Sequence, residues 1–265
     1  MSRTTSESSW DAYGMKFHNI HAGITEEVLI RSHNRKGETP YEWILQAIPD
    51  GTSVLDVACG SAPILRAGWE GEWHGIDRSA EELARIERRY RQYAVVGSAE
   101  VLPFEDATFD VVICSMALML VQPLLQCLIE MMRTLREGGV IIALLPGDGS
   151  ALTLRDRVMW ARILAALRMR NLTYPNAAQL QHLCLLIEHA GGSVAEDQEQ
   201  RFALPIAVPD DGALLVRSLY APRASEHLIA GASHMVSRWE GQVIGIPLRR
   251  IVGRKIHSAL RMHAQ

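Results

Sequence analysis

The chain has 265 residues, enough for one large α/β domain or for one domain with a modest cap. Hydrophobic residues make up 48% and charged residues 22%, which supports a core and excludes disorder over most of the length. The net charge of -3 supplies no basic field, so neither nucleic acid nor an anionic membrane is expected as a partner.

Cys59, Cys114, Cys127 and Cys184 are widely spaced and sit in apolar runs, with no CxxC pair. They read as reduced, buried thiols of a cytoplasmic protein. No apolar run approaches the ~20 residues that span a bilayer. The start, MSRTTSESSW, lacks an apolar signal core, so secretion is not expected.

Residues 1–9 read as a frayed tail. From Trp10 to Ile48 the pattern is helical, broken near HNRKGETP. Pro40 opens the last of these helices, and Pro49-Asp50-Gly51 ends it. Strands and helices then alternate. Ser53–Ala58 reads as a short apolar strand of the kind a parallel sheet covered on both faces uses, followed by a short helix at Ile64–Ala67. Trp73–Ile76 is the second strand, ending at Asp77. Ser79–Tyr90 is a charged amphipathic helix with Ser79 as its N-cap.

Tyr93–Val96 and Phe109–Ser115 are the third and fourth strands. Leu124–Leu135 is a helix stopped by Gly138-Gly139, and Val140–Leu145 is the fifth strand. Beyond Pro146, helices are predicted at Thr153–Arg170 and Ala177–Ala190, and strands at Val194–Leu204 and Gln242–Val252. A helical excursion near Gly212–Trp239 separates the last two strands. The fold class is α/β, a doubly wound, mostly parallel sheet. Residues 150–172 and 208–240 are candidate cap insertions.

Asp56 near the end of the first strand and Asp77 at the end of the second would both project where ligands bind such sheets. An acid after the second strand can accept two hydrogen bonds from a ribose diol. The turn between them, ACGSAP, does not match the GxGxxG that brings backbone to a pyrophosphate. Asp56 would also repel that pyrophosphate. A cofactor with a sulfonium and an ammonium tolerates the carboxylate, which separates S-adenosylmethionine (SAM) from NAD.

VLDVACGSAP, GIDRS, GSAEVLPFEDATFDVVICS and LREGGVIIALLP occur in this order and spacing. Together they resemble the class I SAM-dependent methyltransferases, specifically the small-molecule type 11 group. The resemblance covers Ser53 to Leu145 most fully and reaches residue 255 through the last helix and two strands. It implies a Rossmann-like seven-stranded sheet with an antiparallel last strand. It also implies residues 1–50 as a helical lid segment before a SAM-binding domain at 51–265.

Carried over residue by residue, the resemblance implies that Ala58, Cys59, Gly60 and Ser61 wrap the methionine part of SAM. Asp56 would support its amino group and Asp77 its ribose hydroxyls. Arg78, Ser98 and Ala99 would lie by the adenine, and Ser115 and Met116 by the methyl end. Ser98 stands where the family often has Asp, so a charge-assisted bond would be lost. Ala58 and Ala62 replace two usual glycines and would be strained if the site needs positive φ. SAM binding is still expected. Plainer readings stand beside these: Asp56 as a capping acid, Asp77 and Ser98 as turn residues.

Methyl transfer from a sulfonium is an in-line displacement that alignment accelerates, and a base is needed only if the acceptor loses a proton. SMALMLVQP after the fourth strand shows none. His18 and His21 are the candidate catalytic residues, with His33 beside them, although surface or core roles are the plainer reading. Tyr13 and Phe17 are candidate lid aromatics facing the sulfonium, or core. Met159 and Trp160 could line an acceptor pocket or a core stripe. Arg249, Arg250, Arg254 and Lys255 read as the solvated side of the last strand. No His/Cys cluster has metal-ligand spacing.

The expected partner is a small, fairly apolar methyl acceptor, with S-adenosylhomocysteine (SAH) as product. A homodimer is compatible with the sequence. The alternatives are a cyclase or binding module that keeps SAM without transferring methyl, and an NAD-dependent enzyme, disfavoured by the turn.

Overall fold

The computed structural model describes residues 5–257, with side chains from Trp10 onward. In chain order the elements are α1 (Thr5–Ile20), α2 (Ile24–Ile30), α3 (Pro40–Leu45), β1 (Val54–Val57), α4 (Pro63–Arg66), β2 (Trp73–Asp77), α5 (Ala80–Leu83) and β3 (Ala94–Val96). Then come β4 (Phe109–Ser115), α6 (Leu124–Thr134), β5 (Leu135–Pro146), α7 (Leu154–Ala166), α8 (Ala177–Leu180) and α9 (Leu183–His189). The chain closes with β6 (Gly192–Ile206), α10 (Pro209–Arg217), α11 (Glu226–Ser237) and β7 (Gln242–Lys255).

The strands form one sheet in the order β3-β2-β1-β4-β5-β7-β6. β1 pairs in parallel with β2 and β4, β3 with β2, and β5 with β4. β7 enters antiparallel between β5 and β6. Residue numbers fall on β6 as they rise on β7: Gly241 N–H donates to Ile206 O, and Arg250 reaches Glu196. The Rossmann-like, mostly parallel sheet with antiparallel closure is therefore as expected.

Contacts divide the chain into two compact units. The first comprises residues 1–43, 146–174 and 199–248; the second comprises 44–145, 175–198 and 249–265. The second unit holds β1 to β5, whose residues Val54, Leu55, Val112, Ile113 and Ile142 are fully buried. Apolar runs of this kind are what a parallel sheet covered on both faces requires. The first unit packs Met159 and Ile163 of α7 with Leu204, Leu215, Val236, Trp239 and Ile244. Met159 therefore lies in a core, and Trp160 donates its indole N–H to Gly245 O at 2.8 Å.

Local signals set several boundaries. Thr39 and Glu42 cap α3 reciprocally, with Pro40 at its first position. The Ser79 hydroxyl accepts from Glu82 N–H at the start of α5. That helix is one turn rather than the expected three, because the Arg91 guanidinium takes the carbonyls of Ala84 and Ile86. Gly138-Gly139 do not stop α6. Leu135 is already extended, and the glycines fall in the irregular stretch of β5, where pairing with β4 slips between Phe109 and Val111. The predicted helix at 177–190 is split into α8 and α9. α1 begins at Thr5, inside the expected tail, while residues 1–4 lie outside the described residues. Arg250 is not solvated as expected: it is buried and bonds Glu196 at 2.9 Å.

Asp156 ties the first unit together. Its buried carboxylate accepts from Arg201 Nε and Nη2 at 2.7 and 2.8 Å, from Gly245 N–H at 2.7 Å and from the Thr153 hydroxyl at 2.6 Å. Burial alone would raise this carboxyl. The Arg201, Thr153 and Gly245 donors outweigh it and hold the group well below the usual carboxylate range. The stabilisation is therefore complete above about pH 4, where an unfolded Asp ionises, and is lost on acidification below it. Asp156→Ala should cost about 3 kcal/mol in urea unfolding at pH 7, with the difference from wild type shrinking below about pH 4. A difference that stays constant into acid would contradict this linkage.

Candidate functional site

The strand order reverses at β1, which lies between β2 and β4. Ligands of open α/β sheets bind beyond the carboxyl ends of the strands at such a point. The second unit gathers Asp56, Ala58, Cys59, Gly60, Ser61, Asp77, Arg78, Ser98, Ala99, Ser115 and Met116 at or just beyond the ends of β1 to β4.

Asp56 is buried in β1. After Val57 the backbone turns left-handed three times, at Ala58 (φ 56°), Gly60 (φ 54°) and Ala62 (φ 55°). The positive-φ condition raised for the two alanines is met, and each stores on the order of 1 kcal/mol of strain. Hydrogen bonds hold the turn. Cys59 N–H donates to Ile76 O at 3.1 Å, and Ala62 N–H to Cys59 O at 2.9 Å. Gly60 N–H donates to Asp77 Oδ2 at 2.9 Å. Ser79 N–H donates to the other oxygen of Asp77 at 2.8 Å.

Asp77 therefore joins the turn after β1 to the turn after β2. Each of its two oxygens accepts one of these backbone bonds. Gly75 sits in β2 because a Cβ there would stand 2.8 Å from Cys59 Sγ and closer to the Trp73 ring. The Ser61 hydroxyl accepts from Arg66 at 3.0 Å. Ser98 Oγ accepts from Glu100 N–H at 3.3 Å, a turn contact.

At the end of β4, Met116 is also left-handed (φ 56°), and its N–H donates to Leu144 O at 2.7 Å. Ser115 Oγ is buried, and none of the described residues bonds it. A buried hydroxyl of this kind calls for a partner, which an ordered water or a ligand can supply. Burial pushes the Cys114 thiol well up, and the Asp56 charge adds to this. Burial likewise pushes Cys127 up to about 12. Neither is poised as a thiolate nucleophile.

Sequence reasoning did not find the pair that holds the loop after Ala99. Glu130 and Arg133 are one turn apart on α6. Glu130 accepts from Leu102 N–H at 2.9 Å. Arg133 donates to Leu102 O, Phe104 O and Asp106 at 2.7 to 2.9 Å. Their (i, i+3) spacing was the available signal. Asn176 was also missed. It lies 55 to 58 residues from its partners Val121 and Leu118, so no local pattern announced it.

Tyr13, Phe17, His18 and His21 belong to the first unit, and their contacts within it are specific. The Tyr13 hydroxyl accepts from Ala221 N–H at 3.0 Å, and His18 Nε2 lies 3.1 Å from the Tyr220 hydroxyl. Phe17 packs on the Tyr220 ring at 4.7 Å between centroids and meets the His21 ring at 5.5 Å. Among the described residues no group of three or more His, Cys, Asp or Glu could hold a metal ion. None of their helices is long and apolar enough to cross a membrane.

The sheet order and the turn at its switch point define a class I, Rossmann-like methyltransferase fold. Residues 55–143 match the family model described as a methyltransferase domain. Its donor is SAM.

Two relatives are demethylmenaquinone methyltransferases. That of Bacillus licheniformis is 36% identical over 109 residues, 38% of this chain and 47% of the relative. That of Lysinibacillus sphaericus is 36% identical over 107 residues, 37% and 46%. The chain thus spans about half the length of these curated relatives. Among solved structures, a protein described as a methyltransferase from an antibiotic biosynthesis pathway of Anabaena variabilis superposes with TM-score 0.58 at 18% identity, covering 80% of this chain and 95% of its own. The [4+2]-cyclase SpnF superposes at 0.57 and 14%, covering 92% and 95%. Likeness at these identities concerns the fold.

The residues fit SAM on the structure's own terms. Two carboxylates and an orphaned hydroxyl suit a cation with a diol, and the GxGxxG needed for a pyrophosphate is absent.

Because Ala58 is held left-handed, Ala58→Gly should raise stability by about 0.5–1 kcal/mol, and Ala58→Val should lower it by more than that. Thermal melts check this, and equal stability of the alanine and glycine forms would contradict it.

Proposed function

We propose that this protein transfers a methyl group from SAM to a small, fairly apolar acceptor. The observation that carries the reading is the left-handed turn Ala58–Ala62, joined through Gly60 to the Asp77 carboxylate. In this reading the turn wraps the methionine part and Asp56 favours its ammonium. Asp77 holds the ribose diol, with Arg78, Ser98 and Ala99 beside the adenine. Ser115 and Met116 stand at the methyl end.

Bound SAM supplies an electrophilic methyl carbon on a sulfonium. The chain's part is to orient and to exclude water. Ala117, Leu118 and Met119, all buried, follow Met116 directly and support an apolar acceptor end. No ionisable side chain but the thiol of neighbouring Cys114 falls between residues 114 and 121, which suits an acceptor that needs no base there. The relatives' name, demethylmenaquinone methyltransferase, is consistent with an acceptor of this class.

The missing base also favours a second reading, in which SAM is retained and methyl is not transferred. The fold likeness to SpnF, a cyclase, accompanies it. Stoichiometric consumption of SAM with a methylated product separates the two.

Calorimetry with SAM and SAH tests the main reading. Both should bind, and Asp77→Ala should weaken SAH more than tenfold, about 1.4 kcal/mol. No binding at millimolar ligand would overturn it.

A further inference from the structure

The segment that follows β4 enters through the left-handed Met116 and folds into a turn. Ala117 O accepts from Leu120 N–H at 2.8 Å and from Val121 N–H at 3.0 Å. Three other carbonyls of this segment end on one residue. The Asn176 side-chain amide donates to Leu118 O at 2.8 Å and to Val121 O at 2.6 Å. Its backbone N–H donates to Met119 O at 3.3 Å.

Asn176 is buried, with 2% exposure, so water cannot readily replace these bonds. It occupies the cap position of α8 yet makes no side-chain cap bond to its own helix. Asn is strongly favoured at such positions for capping. Here both amide hydrogens are given to the distant segment instead. Asn is the shortest side chain that carries two donors: Asp carries none when ionised, and Ser carries one.

We propose that Asn176 is a positioning residue for the ligand-facing end of β4. By holding the carbonyls of Leu118, Met119 and Val121 it fixes the turn, and through the turn it sets Ser115 Oγ and the Met116 backbone. Met116 is anchored from the other side by Leu144 O. Asn176 itself touches no ligand in this account. The inference rests on the reading of the β4 end as part of the SAM site.

Hydrogen exchange and SAH titration test it together. In the free protein, Asn176→Ala should speed exchange at residues 117–122 about tenfold or more, leaving β1 and β2 unchanged. At a temperature where circular dichroism shows the variant folded, its SAH affinity should fall at least fivefold. A general loss of stability would instead speed exchange throughout the unit.

Asn176→Asp adds a pH signature. Its carboxyl can donate to one carbonyl when protonated and repels both when ionised. Burial and the facing carbonyls raise such a carboxyl above its ordinary value, so its SAH affinity, relative to wild type, should recover as the pH is lowered. If the alanine variant does not fold, Asn176→Ser, which keeps one donor, takes its place in the same measurements. Unchanged exchange at 117–122, or unchanged SAH affinity in a folded variant, would overturn the proposal. Failure of the wild-type protein to bind SAH is a different result: it overturns the site reading, while exchange in the free protein still decides whether Asn176 fixes the segment.

Discussion

The carboxylate of Asp77 is the constraint on which the site depends. One oxygen holds Gly60 and the other holds Ser79. The first bond reaches back to the turn after β1, and the second starts the chain toward α5. Hydrogen bonds to an ionised acceptor are stronger than neutral ones. They offset the left-handed strain at Ala58 and Ala62, which the sequence does not relieve with glycine. Cys59 N–H on Ile76 O adds a second tie between the same two strands. The turn is therefore built before any ligand arrives, and pre-organisation of this kind lowers the cost of binding.

The charge of the site follows from the same residues. Asp56 is buried in β1, and Asp77 stands one strand away at the same end of the sheet. A pyrophosphate would meet two carboxylates there, whereas a sulfonium and an ammonium would meet complementary charge. Around this centre, α6 acts at a distance. Glu130 and Arg133 fix the loop at 102–106, which follows Ser98 and Ala99. The Arg133 hydrogen bonds hold the Glu130 carboxyl below its usual range, so the pair stays ionised near neutral pH.

The parallel part of the sheet was legible because β1 to β4 are short runs dominated by apolar residues and bounded by turn residues. Asp56, Asp77 and the small-residue turn could be placed because strand ends are easily located in such a pattern. What escaped was of two kinds. Competing local bonds changed element lengths: Arg91 on the carbonyls of Ala84 and Ile86 shortens α5, and the break in β5 pairing absorbs Gly138 and Gly139. Long-range partners left no periodic trace. Asn176 resembles an ordinary helix cap in sequence, and only the fold shows its amide turned to Leu118 and Val121. Arg250 looked solvated because it sits in a basic run, yet its partner Glu196 lies on the adjacent strand.

A crystal structure of the protein with SAH tests the central claim most directly. The account predicts ligand density beyond the ends of β1 and β4, with the ribose hydroxyls within hydrogen-bond distance of Asp77 and the amino acid part against residues 58–61. Density for SAH elsewhere, or a ribose that leaves Asp77 untouched, would contradict it.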